Sequence, residues 1–193
     1  MSSLVVDAIA RAGLADVAFA RNTGDLERVR AQRDALAKAD LLALGALADR
    51  VRQDEVGDVV RIFTNVKPDD GDDVLDMHAG GIGAVGIEFL RAVAVARITG
   101  PRAAKVRVDW SKTGLELAQV ALGFGASELV GPIASKRGLL IADDAQKKVK
   151  GEGMVSLQSM KQREIAALVR RSGRRAVIVS ARGVEREMSE AVE

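Results

Sequence analysis

The chain contains no cysteine and no tyrosine, one histidine (His78) and one tryptophan (Trp110). Without thiols it has no disulfide, no thiolate metal ligand, no cysteine nucleophile and no iron–sulfur cluster held in the usual way. Its five aromatic side chains, Phe19, Phe63, Phe89, Trp110 and Phe124, all precede the basic tail, which from Lys136 onward carries 13 Lys and Arg against 8 Asp and Glu. A tail with no ring to stack a base on reads as a solvated helix surface, and nucleic acid is disfavoured as a partner. No apolar run reaches the roughly 18 residues of a membrane-spanning helix, and the opening MSSLVVDAIARAG lacks the basic start and apolar core of a secretion signal. The expectation is a soluble, cytoplasmic protein with no membrane partner.

What remains is 193 residues with a net charge of +2, enough for one ordinary domain with a real core. Four parts follow one another: N-terminal helices over 1–56, a βα core over 57–133, a mobile loop over 134–158, and a closing helix, strand and tail over 159–193. The first part reads as an amphipathic helix over 4–14, an outer helix over 25–38, and a core-facing helix after Asp40, which stands where an N-cap belongs. The core alternates strands at 59–65, 74–77, 105–110 and 127–133 with helices at 87–98 and 116–125. The helix over 87–98 is apolar almost all round and must be buried on more than one side. Ser159 with Gln162 makes a capping box for a helix over 160–171, a strand follows over 174–180, and the last residues read as a frayed helix. Strands alternating with helices predict an α/β fold, either a partial (β/α) barrel or a short parallel sheet with flanking helices.

Gly81, Gly83 and Gly86 fit the spacing GxGxxG between a strand and a helix, and Asp109 lies 23 residues further on at the end of the next strand. Glycines there let a pyrophosphate approach a helix N-terminus, while the acid takes a ribose hydroxyl. The same stretch, VLDMHAGGIG, resembles the nucleotide loop of methyltransferases that use S-adenosylmethionine. The plainer reading is a tight βα turn whose small residues let helix and strand pack closely. His78 beside Asp76 has the chemistry of a general base but no Ser or Cys partner at motif spacing. Asp69, Asp70, Asp72 and Asp73 lack the ligand order of a calcium loop and read as a solvated turn.

Three pieces of the chain, in order, resemble the radical S-adenosylmethionine enzymes of the futalosine route to menaquinone, chiefly aminofutalosine synthase, with the related cyclase and the deazaflavin-cofactor synthase subunit. They are DLLALGALADRVRQDEVGDVVRIFTNV (40–66), FLRAVAVARITG with KVRVDWSKTGLELAQVALGFGASELVGPI (89–133), and SMKQREIAALVRRSGRRAVIV (159–179). The first resembles the helix and strand entering that family's barrel, the second its last barrel units, and the third its closing helix and strand. Where the family carries a CxxxCxxC cluster triad after its counterpart of Thr64-Asn65-Val66, this chain continues with Lys67 and has no cysteine anywhere. The intervening barrel strands are also missing.

The resemblance therefore implies a shortened, non-catalytic relative that binds a nucleoside-like ligand or a partner chain. A partial barrel leaves sheet edges open, so a homodimer is expected. A ligand belongs at the strands' carboxyl ends, at Asp109, Trp110 and the loop to Gly114, facing the glycine turn. The alternative is a Rossmann-like enzyme holding a dinucleotide or S-adenosylmethionine at Gly81, Gly83, Gly86 and Asp109. Strand order separates the two: a barrel arc keeps sequence neighbours side by side, whereas a doubly wound sheet reverses at a switch point beside the glycine loop.

Overall fold

A computed structural model of the protein describes residues 3–64, 73–77, 86–134, 160–180 and 184–188. The chain opens with helices α1 (Ser3–Arg11), α2 (Ala15–Thr23), α3 (Leu26–Ala31), α4 (Arg33–Lys38) and α5 (Leu41–Val56). The first helix ends near Gly13 as expected, but helix α2 and the break at Gln32 escape a periodicity reading. Gly13, with φ 73°, turns the chain after α1, and α2 then starts on a sequence with few large apolar residues. Gln32, at φ −95° and ψ 11°, interrupts the helix expected over 25–38. Helix α5 forms as predicted: the Asp40 side chain accepts from the Ala43 N–H at 2.9 Å, and Leu44, Leu47, Ala48 and Val51 are buried along its inner face.

Strands β1 (Val59–Thr64) and β2 (Val74–Met77) precede helix α6 (Gly86–Thr99) and strand β3 (Lys105–Asp109). Then come helices α7 (Trp110–Thr113) and α8 (Leu115–Leu122), and strands β4 (Glu128–Gly131), β5 (Ile133–Ala134) and β6 (Met160–Lys161). Helix α9 (Gln162–Arg171) and strands β7 (Arg175–Val179) and β8 (Glu185–Glu187) complete the described chain. Two expectations are corrected. Residues 185–187 form a strand, not a frayed helix, and pair antiparallel with β7. The closing helix begins at Gln162 because Met160–Lys161 pair with β5. Ser159 of the expected capping box, His78, Asp69, Asp70, Asp72, Gly81, Gly83 and the expected loop 135–158 lie outside the described residues.

The main sheet has the order β2-β3-β4-β1-β7-β8, parallel except for β8. Sequence neighbours lie side by side along β2-β3-β4, but β1 is inserted between β4 and β7, so the order reverses once, beside β1. The connection carrying the glycines leaves β2, at the sheet's outer edge, rather than a strand at that reversal.

Side chains alternate across a strand, and here the two faces differ in kind. Val60, Ile62, Val106, Val108, Leu129, Ala176 and Ile178 join one apolar cluster with Ile9, Val17, Val29, Leu36, Leu44, Val93, Leu122 and Ile165. That cluster draws on α1 through α6, α8 and α9, so these helices cover a single face of the sheet. Residues of the other parity, among them Asp76, Arg107, Glu128, Arg61 and Phe63, are absent from the cluster. A doubly wound sheet carries helices on both faces. Among the described residues the helices lie on one face of an open parallel sheet, and the insertion of β1 between β4 and β7 departs from the sequential order of a barrel arc.

Helix α6 is buried as its composition requires, and its one wholly enclosed charge is Arg97. The guanidinium donates to the Gly125 carbonyl at 2.8 Å, to the Ala104 carbonyl and to Ser127 Oγ at 3.0 Å. Desolvation lowers its pKa to about 10. It ties the turns that enter β3 and β4 to the helix lying over them.

Candidate functional site

The face on which no helix packs among the described residues carries a row of ionisable residues. Asp76 pairs in register with Arg107, Arg107 with Glu128, and Glu128 with Arg61, so charge alternates in sign across β2, β3, β4 and β1. Residues paired in register share a face and reach one another. Arg107 donates from Nε to Glu128 Oε2 at 3.0 Å, with Nη2 2.9 Å from the same oxygen, and the two side chains are 2% and 1% exposed. Arg107 Nη1 lies 3.6 Å from Asp76 Oδ1, and the guanidinium carbon sits 5.0 Å from the centre of the Phe63 ring. Arg61 turns outward to Glu185 of β8 at 2.7 Å.

A buried ion pair costs several kcal/mol of desolvation per ion before its attraction is counted. Cation–π contact with Phe63 and the second carboxylate of Asp76 offset part of that. An apolar face would serve stability as well, so the row is chemically conspicuous: fixed donors and acceptors presented at one level of a sheet.

Of the residues expected to form a site, Gly81 and Gly83 lie outside the described residues, and Asp109, Trp110, Gly114 and Gly86 each have local structural engagements. Asp109, at the end of β3, caps α7: its Oδ1 accepts from Ser111 N at 2.9 Å and Ser111 Oγ at 2.6 Å, and Oδ2 lies 3.5 Å from Lys112 Nζ. A ribose hydroxyl would have to displace those donors. Trp110 is 1% exposed and packs on Gly131, where a Cβ would fall 2.2 Å from Trp110 Cε2. It fills the core rather than lining an open surface, which corrects its expected role as a ligand platform. Gly114, at φ 83° and ψ 151°, joins α7 to α8 in a backbone conformation suited to glycine. Gly86 opens α6 and faces Leu117 of α8 at an ordinary contact distance.

Sequence reasoning passed over Arg107, Glu128 and Phe63. The signal was present in KVRVDW and SELVG: an ionisable residue at the inner position of a strand otherwise built of Val and Leu. Their pairing was not readable, because it depends on which strands are neighbours.

Among the described residues no group of three or more acidic or histidine side chains converges as metal ligands, and no helix is long and apolar enough to cross a membrane. Compared with models of known protein families and with curated proteins, the chain matches none.

Proposed function

We propose that the chain is a non-catalytic, shortened relative of the radical S-adenosylmethionine enzymes of menaquinone biosynthesis, binding a nucleoside-like ligand on the charged face of its sheet. The observation that carries this reading is the alternating row Asp76–Arg107–Glu128–Arg61 on that face. In a barrel wall the face opposite the helices is the inner one, and ligands of barrel proteins are bound above its strands' carboxyl ends. A nucleoside offers donors and acceptors, which suit the partly exposed Asp76 and Arg61 at the two ends of the row. The family's cluster does not fit this chain, which has no cysteine to hold it, and no reaction is assigned through it.

The test is calorimetric titration of the full chain with S-adenosylmethionine, NAD, NADP and an aminofutalosine-like nucleoside. The comparison is the double variant Arg107→Met/Glu128→Leu, which removes both charges together and leaves neither ion unpaired. Saturable nucleoside binding that the folded double variant loses supports the reading. Binding to no member of the panel, or equal binding by the variant, overturns it.

One observation favours a second reading, an enzyme with a Rossmann-like site holding S-adenosylmethionine or a dinucleotide. The strands on either side of the glycine stretch, β2 and β3, are adjacent and parallel, as that fingerprint requires. Gly83→Val abolishing binding that Arg107→Met/Glu128→Leu retains would select it. For partner chains the reading is a homodimer or a partner pairing along β2, whose outer edge meets no other strand among the described residues. A strict monomer in sedimentation, with no captured strand, would count against that.

A further inference from the structure

On the helical side of the sheet a cavity of about 220 Å³ opens between α2 and α5. Two of its lining side chains, Arg21 and Glu55, form a buried ion pair, Nη2 to Oε2 at 2.7 Å and Nε to Oε1 at 2.8 Å. Arg21 has no donor to spare, since Nη1 reaches the Ile98 and Gly100 carbonyls at 3.0 and 2.6 Å and Nη2 the Pro101 carbonyl at 3.2 Å. Glu55 Oε2 also accepts from the Ala103 N–H at 2.9 Å. That bond holds the turn in which Ala103 takes φ 56°, rare for a residue with a Cβ, and the same turn places Arg102 in the cavity lining.

Arg50 and Asp54, also in the lining, face each other at 3.6 Å. Both acids are thus paired with arginines, and the cavity keeps one positive charge. Arg102 has no hydrogen-bond or ion-pair partner among the described residues. The rest of the lining adds the polar Asn22 to an apolar strip of Ala18, Phe19, Leu47 and Val51, in which Leu47 and Val51 are buried and Phe19 is 63% exposed.

We infer that this cavity binds a small carboxylate with an apolar body, its anionic head at Arg102 and its body against Phe19, Leu47 and Val51. The charge balance selects the head group. An amine would meet only carboxylates already engaged and a neutral head would leave the exposed Arg102 to water, whereas a carboxylate gains a charge-assisted hydrogen bond. The volume selects the body, since an apolar cavity of about 150 Å³ holds a benzene ring. A chain or ring of about six to ten carbons matches the space here.

The inference does not rest on the charged face and is tested separately. The full chain is titrated calorimetrically with hexanoate, hexan-1-ol and hexylamine at low salt. Saturable binding is expected for hexanoate alone, weakened at least about tenfold by Arg102→Gln and also weakened by Phe19→Ala. Both residues are exposed, so both variants should keep the natural circular dichroism. Arg107→Met/Glu128→Leu should bind hexanoate as the natural chain does. Absence of saturable hexanoate binding in the millimolar range, undiminished binding by Arg102→Gln, or equal binding of the alcohol would overturn the inference.

Discussion

Arg107 and Glu128 stand opposite one another on neighbouring parallel strands, joined by two contacts of 2.9–3.0 Å to a single carboxylate oxygen and sealed from solvent on both sides. Their energetics are asymmetric. Removing one partner leaves a buried charge uncompensated, whereas removing both removes the desolvation cost as well.

Arg107→Met or Glu128→Leu alone is therefore expected to cost about 3–5 kcal/mol in urea denaturation, while the double variant stays within about 1 kcal/mol of the natural chain or exceeds it. Single-variant losses that simply add in the double variant would show that the pair is not coupled as the geometry requires.

Gly131 lies under the Trp110 ring with no room for a Cβ. Gly131→Ala is expected to destabilise by about 1–3 kcal/mol, the range for overpacking a full core, and to alter the emission of the only tryptophan. Trp110→Leu in the same chain should recover part of the loss. A Gly131→Ala protein with unchanged stability and emission would contradict the packing.

Arg97 gives a pH dependence whose sign follows from burial. Its folded pKa, about 10, lies well below that of an exposed guanidinium because desolvation penalises the charged form. Between the folded pKa and the exposed one the unfolded chain holds a proton that the folded chain has released, so this group's contribution to stability rises with pH across that window. Arg97→Lys puts a group of ordinary pKa about 10.4 under the same burial. Its stability deficit is expected to be largest near neutrality and to shrink as pH rises towards 10. A deficit that grows over that range would reverse the assignment.

Ala103 holds a left-handed conformation at φ 56°. That costs a residue with a Cβ about 1–2 kcal/mol, and glycine escapes it while losing about 0.5–1 kcal/mol of chain entropy. Ala103→Gly should leave stability unchanged or raise it by up to about 1 kcal/mol in thermal unfolding. Ala103→Val should lower it by more than 1 kcal/mol, because branching at Cβ aggravates the clash.

The fold was readable where local signals act alone. Asp40 announced the start of α5, the all-round apolar face of 87–98 announced its burial, and alternation in KVRVDW announced β3. Competition between signals hid the rest. Residues 15–23 carry too few large apolar side chains to declare α2, and Gln32 breaks a helix without a glycine or proline to mark it. ERE at 185–187 is poor strand material by propensity and pairs only because β7 offers an edge. At the candidate site, Asp109 was rightly placed at a strand end but its use was misread. An Asp followed two residues later by Ser is also a helix-start signature, and in the structure the local cap has the carboxylate. The Arg107–Glu128 pair needed knowledge that β3 adjoins β4.

The two outer strands of the sheet differ in chemistry. β8 presents Glu185, Arg186 and Glu187, all exposed, whereas β2 is Val74, Leu75 and Met77 with one acid. Charged edges resist further strands and apolar ones recruit them. Growth of the sheet is thus permitted in one direction only. Two copies joined through β2 about a twofold axis would each consume their single receptive edge and turn β8 outward at both ends. In the proposed dimer each copy would end on the three charged residues of β8, which disfavour a further strand.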